Sequence, residues 1–268
     1  MSDMDNIFLL KLILSFVIGG TWITIATILA EKFGTKIGGA IAGIPSTMVV
    51  ALLFIGLTQS PIVASQSTTI IPIIIGIDSL FVLVYILLCR FNFYLSVLSS
   101  IILWFVLSFG LVLIKFNSLI YSLLSFAVLS AFSYLIIEKK LNIKSESRKK
   151  IKYSFSMLLF RAIFSGAIVL FSVLMAKISG PALGGIFAVF PAMMLSTIVI
   201  THFAHGKNFS LAVMKSLMAS GSVNPVVYAI SIRYSYIYFG LMYGTLISFF
   251  ISLISSYIVY IFVNKKMS

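Results

Sequence analysis

The chain has few charged residues, few acids and a single cysteine, and each shortage excludes a class of protein. Charged residues make up 9% of the 268 residues and hydrophobic residues 61%, whereas soluble domains are about a quarter charged and half apolar. The single Cys89 excludes an intrachain disulfide and a cysteine-based metal site. Six acidic residues leave little for acid–base chemistry, and no HExxH, GxSxG or P-loop motif occurs, so we expect neither an enzyme nor a cofactor.

Long apolar runs dominate what is present. Each run has about 20 residues, enough to cross ~30 Å of hydrocarbon as a helix, whereas the ~10-residue alternating strands of a membrane barrel are missing. The sequence therefore predicts an all-α polytopic membrane protein with nine transmembrane helices, at about 7–30, 37–57, 68–88, 93–114, 119–137, 153–176, 182–203, 208–231 and 236–262.

The positive charges predict how the chain is oriented. If the amino terminus lies outside the cell, 13 of the 16 Lys and Arg residues outside the runs lie in the cytoplasm and only 3 outside. This split follows the positive-inside rule. We therefore expect a multi-pass protein of the cell membrane with its amino terminus outside and its carboxyl terminus in the cytoplasm. The net charge of +13 then reflects topology, and membrane lipids rather than nucleic acid are the expected partners.

The sequence contains an internal repeat at an offset of 146 residues, without a gap. Gly20 pairs with Gly166, Gly34 with Gly180, Gly38 with Gly184, Gly39 with Gly185 and Pro45 with Pro191. Five matched Gly and Pro positions within 26 residues do not arise readily by chance in apolar helices. This indicates a duplicated membrane unit.

A basic segment at 138–152 separates the two copies, and it predicts their relative orientation. It leaves five helices in the first membrane repeat, 1–137, and four in the second, 153–268. An odd number of helices before the linker inverts the second copy relative to the first. The chain is therefore expected to contain two inverted-topology repeats joined by a cytoplasmic linker, an arrangement that secondary transporters use around a midplane site.

Helices 2 and 7 of this scheme are predicted to be interrupted. In each, closely spaced glycines precede a proline, which removes a backbone donor and frees polar groups inside the membrane. The glycines suit close helix packing alone, or packing together with a lined cavity, and the sequence leaves both open. The candidate positions are the glycines Gly34, Gly38, Gly39, Gly180, Gly184 and Gly185, the prolines Pro45 and Pro191, and the hydroxyls Ser46 and Thr47.

Asp78 is the acid predicted to lie in the middle of a span, and Asn224 is its repeat counterpart. A carboxylate at that depth costs about 2.5–3.5 kcal/mol, so it must face the interior, be paired or be protonated. It is either a proton, cation or substrate site, or a structural group, and as a structural group it is either an ion-pair partner of Arg161 or Lys215 or a neutral hydrogen-bonded acid. These two bases either line the pathway or extend to the cytoplasmic surface. His202 and His205 have no nearby acid or cysteine to complete a metal site, so no metal is expected.

The second repeat resembles a known family. The Gly184-Gly185 pair, Ala188-Val189-Phe190-Pro191, Gly206-Lys207-Asn208-Phe209-Ser210 and Asn224-Pro225-Val226-Val227-Tyr228 are similar to the GlpM-like family of small four-helix membrane proteins. That resemblance implies only a loose association with envelope polysaccharide production. The fused, inverted arrangement is also similar to that of the drug/metabolite transporter superfamily, which is an architectural likeness.

These observations favour a secondary transporter or exporter of a small solute that works by alternating access between inverted repeats. The alternative is a non-transporting membrane component of envelope polysaccharide or lipid-linked intermediate assembly. The sequence does not identify the solute, and it leaves the oligomeric state open, including a homodimer.

Overall fold

The computed structural model describes residues 3–32, 45–141 and 154–267, and every regular element in these ranges is helical. The first-repeat glycines Gly34, Gly38 and Gly39 and most of the basic linker lie outside the described residues. The helices are α1 (Asp3–Lys32), α2 (Ser46–Thr58), α3 (Pro61–Ser67), α4 (Ile71–Leu88), α5 (Phe93–Leu113), α6 (Leu119–Leu135), α7 (Phe155–Ser179), α8 (Pro181–Ala188), α9 (Ala192–His205), α10 (Lys207–Gly221) and α11 (Val223–Met267). A π-helical turn, Ile136–Lys140, continues α6.

Polar residues at the run boundaries fix where several helices start. A free side-chain oxygen before a helix accepts a hydrogen bond from an otherwise unpaired backbone N–H in the first turn. At α3, α5, α6 and α7 that acceptor is, in order, Ser60, Asn92, Ser118 and Ser154. Helix α3 also has Pro61 at its first position, where the missing N–H is not needed.

Seven helical stretches of the described residues are long and apolar enough to cross a membrane. They are Asn6–Leu29, Ile71–Leu88, Phe93–Leu113, Leu119–Lys139, Phe155–Ser179, Pro181–His205 and Lys207–Val259. The expectation of an all-helical protein with several transmembrane helices is confirmed at this level. Large apolar side chains on the outer helices remain exposed, as a lipid-facing surface requires, among them Val106, Leu124 and Phe250.

The predicted number of nine helices is not settled by this count. Only the second part of predicted helix 2 lies in the described residues, as the 13-residue α2. Predicted helices 8 and 9 form one apolar stretch whose interruptions are at Ser222, between α10 and α11, and at Gly240 within α11. Gly240 adopts φ 71°, a conformation that glycine reaches without the steric cost of a Cβ, so the chain bends there rather than at 231–236.

The helices divide into central and peripheral sets. Of the most apolar 18 residues of each long stretch, 78% are buried in α4 and 67% in Pro181–His205, which contains α8 and α9. The corresponding share is 33% or less in the other five long stretches. The short α2 is also largely buried. The centre therefore consists of α2, α4, α8 and α9, which include the interrupted helices predicted to line a site.

Helices α1 and α7 cross in close contact through a reciprocal pair of glycines. A Cβ on Gly20 would lie 2.7 Å from the carbonyl oxygen of Ala162, and one on Gly166 would lie 2.6 Å from that of Phe16. Phe16 and Ala162 are themselves 146 residues apart, like the two glycines. Because the later residue of α1 meets the earlier residue of α7, the two helices run antiparallel at this crossing.

We expect Gly20→Ala to destabilise the protein, because the added methyl group would collide with a backbone carbonyl that cannot rotate away. Overpacking of this kind costs about 1–3 kcal/mol. Gly110→Ala is the matched control, since a Cβ at Gly110 meets nothing within 4 Å. Thermal denaturation of the two detergent-solubilised variants measures the difference, and equal melting temperatures would show that this crossing is not closely packed.

Candidate functional site

The second interrupted helix is broken at the predicted proline. Helix α8 begins at Pro181 after Gly180, whose φ of 89° favours glycine, and it ends at Ala188. Pro191, with φ −72° and ψ 42°, then precedes the first residue of α9. The intervening residues are not α-helical, so the interruption lies inside an otherwise apolar span.

Pro45 occupies the same local position in the first repeat. It directly precedes α2, with φ −76° and ψ 65°. The two prolines therefore share a similar non-helical backbone and begin helices of 13 and 14 residues. Ser46 and Thr47 form the first turn of α2, where Ser46 is buried and Thr47 is half-buried. Equal bends at matching membrane depth, the finer expectation for Pro45 and Pro191, remain a prediction.

Gly184 and Gly185 serve close packing of α8. A Cβ on Gly184 would lie 2.5 Å from the Cβ of Ala176 in α7, and one on Gly185 would overlap the carbonyl oxygen of Ser67. The carbonyl of Gly184 accepts a hydrogen bond from Ser172 Oγ at 2.8 Å. These contacts hold α8 between α7 and the end of α3.

Asp78 lies inside the bundle on α4 and is 6% exposed. Trp104 of α5 donates its indole N–H to Asp78 Oδ1 at 2.7 Å. Neither Arg161 nor Lys215 forms a salt bridge with it, so the structural ion pair considered from the sequence is absent from the described part of the chain. The carboxyl group is instead held by one uncharged donor.

Trp104 also connects Asp78 to the interrupted helix of the other repeat. Its ring packs edge-on against Phe190, with centroids 5.0 Å apart, and it lies 6.3 Å from Phe187. Phe187 and Phe190 flank the end of α8, next to Pro191. Sequence reasoning missed Trp104, although the spacing of polar residues gave a signal. Ser100 and Ser108 lie four residues before and after Trp104, so the three share one helix face, which is fully buried.

Asn224 is fully buried at the start of α11, and Ser252 donates its hydroxyl to Asn224 Oδ1 at 3.1 Å. In both repeats the counterpart polar residue thus accepts a hydrogen bond from a side chain further along the chain, 26 residues away for Asp78 and 28 for Asn224. No hydrogen bond joins Asp78 to Asn224, so the structure does not bring the two together directly.

The two bases predicted near the pathway have different partners. Arg161 is 3% exposed and donates to Thr197 Oγ1 at 2.6 Å and to Thr27 Oγ1 at 3.4 Å. It thereby connects α7 with α9 and α1. Lys215 of α10 forms a 2.6 Å salt bridge with Glu138 in the π-helical turn. Neither base contacts Asp78 through a hydrogen bond or a salt bridge.

Two of the grooves on the described surface are lined mainly by apolar groups. One, of about 340 Å³, lies between α1 and α7 beside Gly20 and Thr24. The other, of about 370 Å³, lies along α11 beside Ser231 and Tyr234. Neither is lined by Asp78.

Comparison with known families identifies the chain. The family described as Protein of unknown function (DUF3147) matches residues 12–117 and 158–266, which together make up most of the chain. The chain belongs to this family. The two matched segments of DUF3147 begin 146 residues apart, which is the offset of the internal repeat. No curated protein and no solved structure matches the chain. The likeness to the GlpM-like family and to the drug/metabolite transporter superfamily therefore remains a prediction.

Proposed function

We propose that this membrane protein is a secondary transporter of a small solute, working by alternating access between two inverted repeats. The observation that carries the proposal is the reciprocal crossing of α1 and α7. In a two-fold arrangement, residue i of one copy contacts residue j of the other, and j contacts i in return. Gly20 against Ala162 and Gly166 against Phe16 follow this rule at the repeat offset.

The antiparallel direction of the crossing supports the inverted orientation of the repeats. Two equivalent helices that run antiparallel and both cross the membrane are related by an axis in the membrane plane. Secondary transporters with inverted repeats place their site at the repeat interface, where discontinuous helices meet. The central position of α2, α4, α8 and α9, with breaks before α2 and α9, fits that scheme.

Asp78 is the residue we assign to substrate or coupling-ion binding. It has no basic partner within 4 Å among the described residues, yet it lies in a span where an uncompensated charge is costly. A bound cation or a proton would compensate that charge. Through Trp104 and Phe190 the acid is also in contact with the break before α9, where a movement of one repeat would be transmitted to it.

The rival proposal is a non-transporting membrane component of envelope assembly. One observation favours it, since Asp78 is buried and already accepts a hydrogen bond from Trp104, as a structural polar residue would. Such a protein would need its buried polar residues only for packing. It would therefore respond to a small solute neither by binding nor by transport.

A ligand screen separates the two proposals. A solute that binds only the folded state raises its stability by RT ln(1 + [L]/K_d), about 2.7 kcal/mol at 100 times K_d. Concentration-dependent thermal shifts of the detergent-solubilised protein would identify solutes, and uptake of the same solutes into proteoliposomes would test transport. The absence of both thermal shifts and uptake across the screen would favour the envelope component.

Reporter fusions are expected to place residues 138–152 in the cytoplasm and the amino terminus outside, because the positive charges concentrate on one side. Matched fusions of a periplasm-active and a cytoplasm-active reporter at each position measure this. A periplasm-active reporter that works within 138–152 would contradict the inverted arrangement.

A further inference from the structure

The repeat offset allows every contact between the two halves to be compared with its counterpart. In a perfectly two-fold structure, each contact at one end of the bundle has an equivalent at the other end. Alternating access requires that this symmetry be broken, because one end must be closed while the other is not. A systematic difference between equivalent contacts therefore reports which end is closed.

The first comparison concerns the packing of α2 against α7. Its repeat equivalent is the packing of α9 against α1. Helix α2 packs along α7, and Ile55 of α2 also meets Gly184 in α8. The equivalent helix α9 has no comparably packed interface with α1 in the described ranges. A polar bridge links those two helices instead, since Arg161 of α7 bonds both Thr27 and Thr197.

The second comparison concerns the packing of α3 against α11. Its repeat equivalent is the packing of α10 against α4. The short α3 packs extensively against α11, where Ser65 donates to the carbonyl of Arg233 at 2.8 Å. Arg233 in turn donates to Thr69 at 2.7 Å. The equivalent α10 packs less against α4, through a bond of 2.8 Å between the hydroxyls of Tyr85 and Ser210.

The two closely packed interfaces, α2 with α7 and α3 with α11, lie at the same end of the bundle. That end carries the carboxyl termini of α2 and α7. There Lys11 donates to the carbonyl of Leu57 at 2.6 Å. In the amide orientation that satisfies both of its groups, Gln59 donates to the carbonyl of Ala176 and accepts from the N–H of Lys177, each at 3.3 Å. On the topology predicted from the charges, this is the outer end.

We infer that the structure is an outward-closed state, and that the second state closes the opposite end by exchanging equivalent contacts between the repeats. This inference rests on the proposed transport function. The repeat offset of 146 residues predicts which contact replaces the one between Gln59 and Lys177. The counterpart of Gln59 is His205, at the end of α9, and the counterpart of Lys177 is Glu31, near the end of α1. In the second state His205 approaches Glu31, while Gln59 and Lys177 separate.

Paired cysteines test this exchange in membranes. In a Cys89→Ser background, which removes the single native cysteine, Gln59→Cys with Lys177→Cys is the outer pair and His205→Cys with Glu31→Cys the inner pair. We expect a short cross-linker to join both pairs. Locking the outer pair with an irreversible reagent should then prevent cross-linking between cysteines placed at the inner pair of the same molecule. Gln59→Cys with Glu31→Cys, which combines opposite ends, is the control that should not react.

The results separate failure of this inference from failure of the proposed function. If the inner pair never reacts while a solute is still taken up, the protein is a transporter but does not exchange these contacts. If the inner pair reacts to the same extent whether or not the outer pair is locked, the two ends are independent, and the inference is overturned. If the exchange occurs but no solute is bound or taken up, the inference stands as a conformational change, and the transport proposal fails.

Discussion

Asp78→Asn is expected to abolish solute transport and the ligand-dependent thermal shift, while leaving the melting temperature of the unliganded protein nearly unchanged. Asn has almost the shape of Asp, and its carbonyl oxygen can still accept the hydrogen bond from Trp104. An amide cannot ionise, so it can neither compensate a bound cation nor load and release a proton. Asn also occupies the counterpart position, Asn224, in the second repeat, where it is fully buried.

Asp78→Ala is the variant that separates function from folding. It removes the acceptor altogether and leaves the buried indole N–H of Trp104 without its partner, which costs about 1–3 kcal/mol. We therefore expect Asp78→Ala to be both inactive and less stable, whereas Asp78→Asn is only inactive. Uptake into proteoliposomes and thermal denaturation, measured on both variants, give the two readouts.

Two outcomes would contradict the role assigned to Asp78. If Asp78→Asn misfolds and is rescued by neutralising Arg161 or Lys215, the carboxylate is a structural charge partner in the membrane. If Asp78→Asn transports normally, the acid has no role in coupling or binding. In either case the main residue-level support for a transporter would be lost.

Glu138→Gln is expected to lower the free energy of unfolding by roughly 1–3 kcal/mol. The value lies between the ~0–1 kcal/mol of exposed ion pairs and the ~3–5 kcal/mol lost when one partner of a buried pair is removed. Such an intermediate value fits this pair, because the Lys215 side chain is 11% exposed and that of Glu138 is 45% exposed. Loss of the carboxylate leaves a largely buried ammonium without this counter-charge.

A double-mutant cycle tests whether the pair itself is responsible. Lys215→Met replaces the ammonium with an apolar side chain, so removal of both charges should cost less than the sum of the single changes. Lys139→Gln, in the same π-helical turn but on an exposed residue, is the matched control and should have little effect. Additive effects of the two single variants would show that the 2.6 Å contact contributes no coupling energy.

The candidate site shows where prediction from the sequence stopped. The sequence identified Asp78 as an acid that needs compensation, because any ionisable group in a long apolar run does. It proposed Arg161 or Lys215 as the partner, since they are the bases in nearby runs. The structure instead places Trp104 against Asp78, Thr27 and Thr197 against Arg161, and Glu138 against Lys215.

The sequence by itself determined the class and the internal repeat, because both depend on local properties. Apolar runs of sufficient length must become helices in lipid, where backbone groups find no water, and the glycines and prolines at a fixed offset record the duplication directly. Proline lacks the N–H that a helix interior needs, which is the local reason for predicting an interruption at Pro191, and in the structure Pro191 directly precedes α9.

Only the tertiary structure decided which side chains meet. The partner of a buried polar group depends on the rotation and crossing of helices distant in sequence, and apolar runs hydrophobic on all sides do not specify that rotation. The same holds for the bend at Gly240 and for the close crossing of Gly20 with Ala162. The unequal packing of equivalent helix pairs, such as α2 with α7 against α9 with α1, likewise depends on how the helices are placed, which a repeated sequence does not specify.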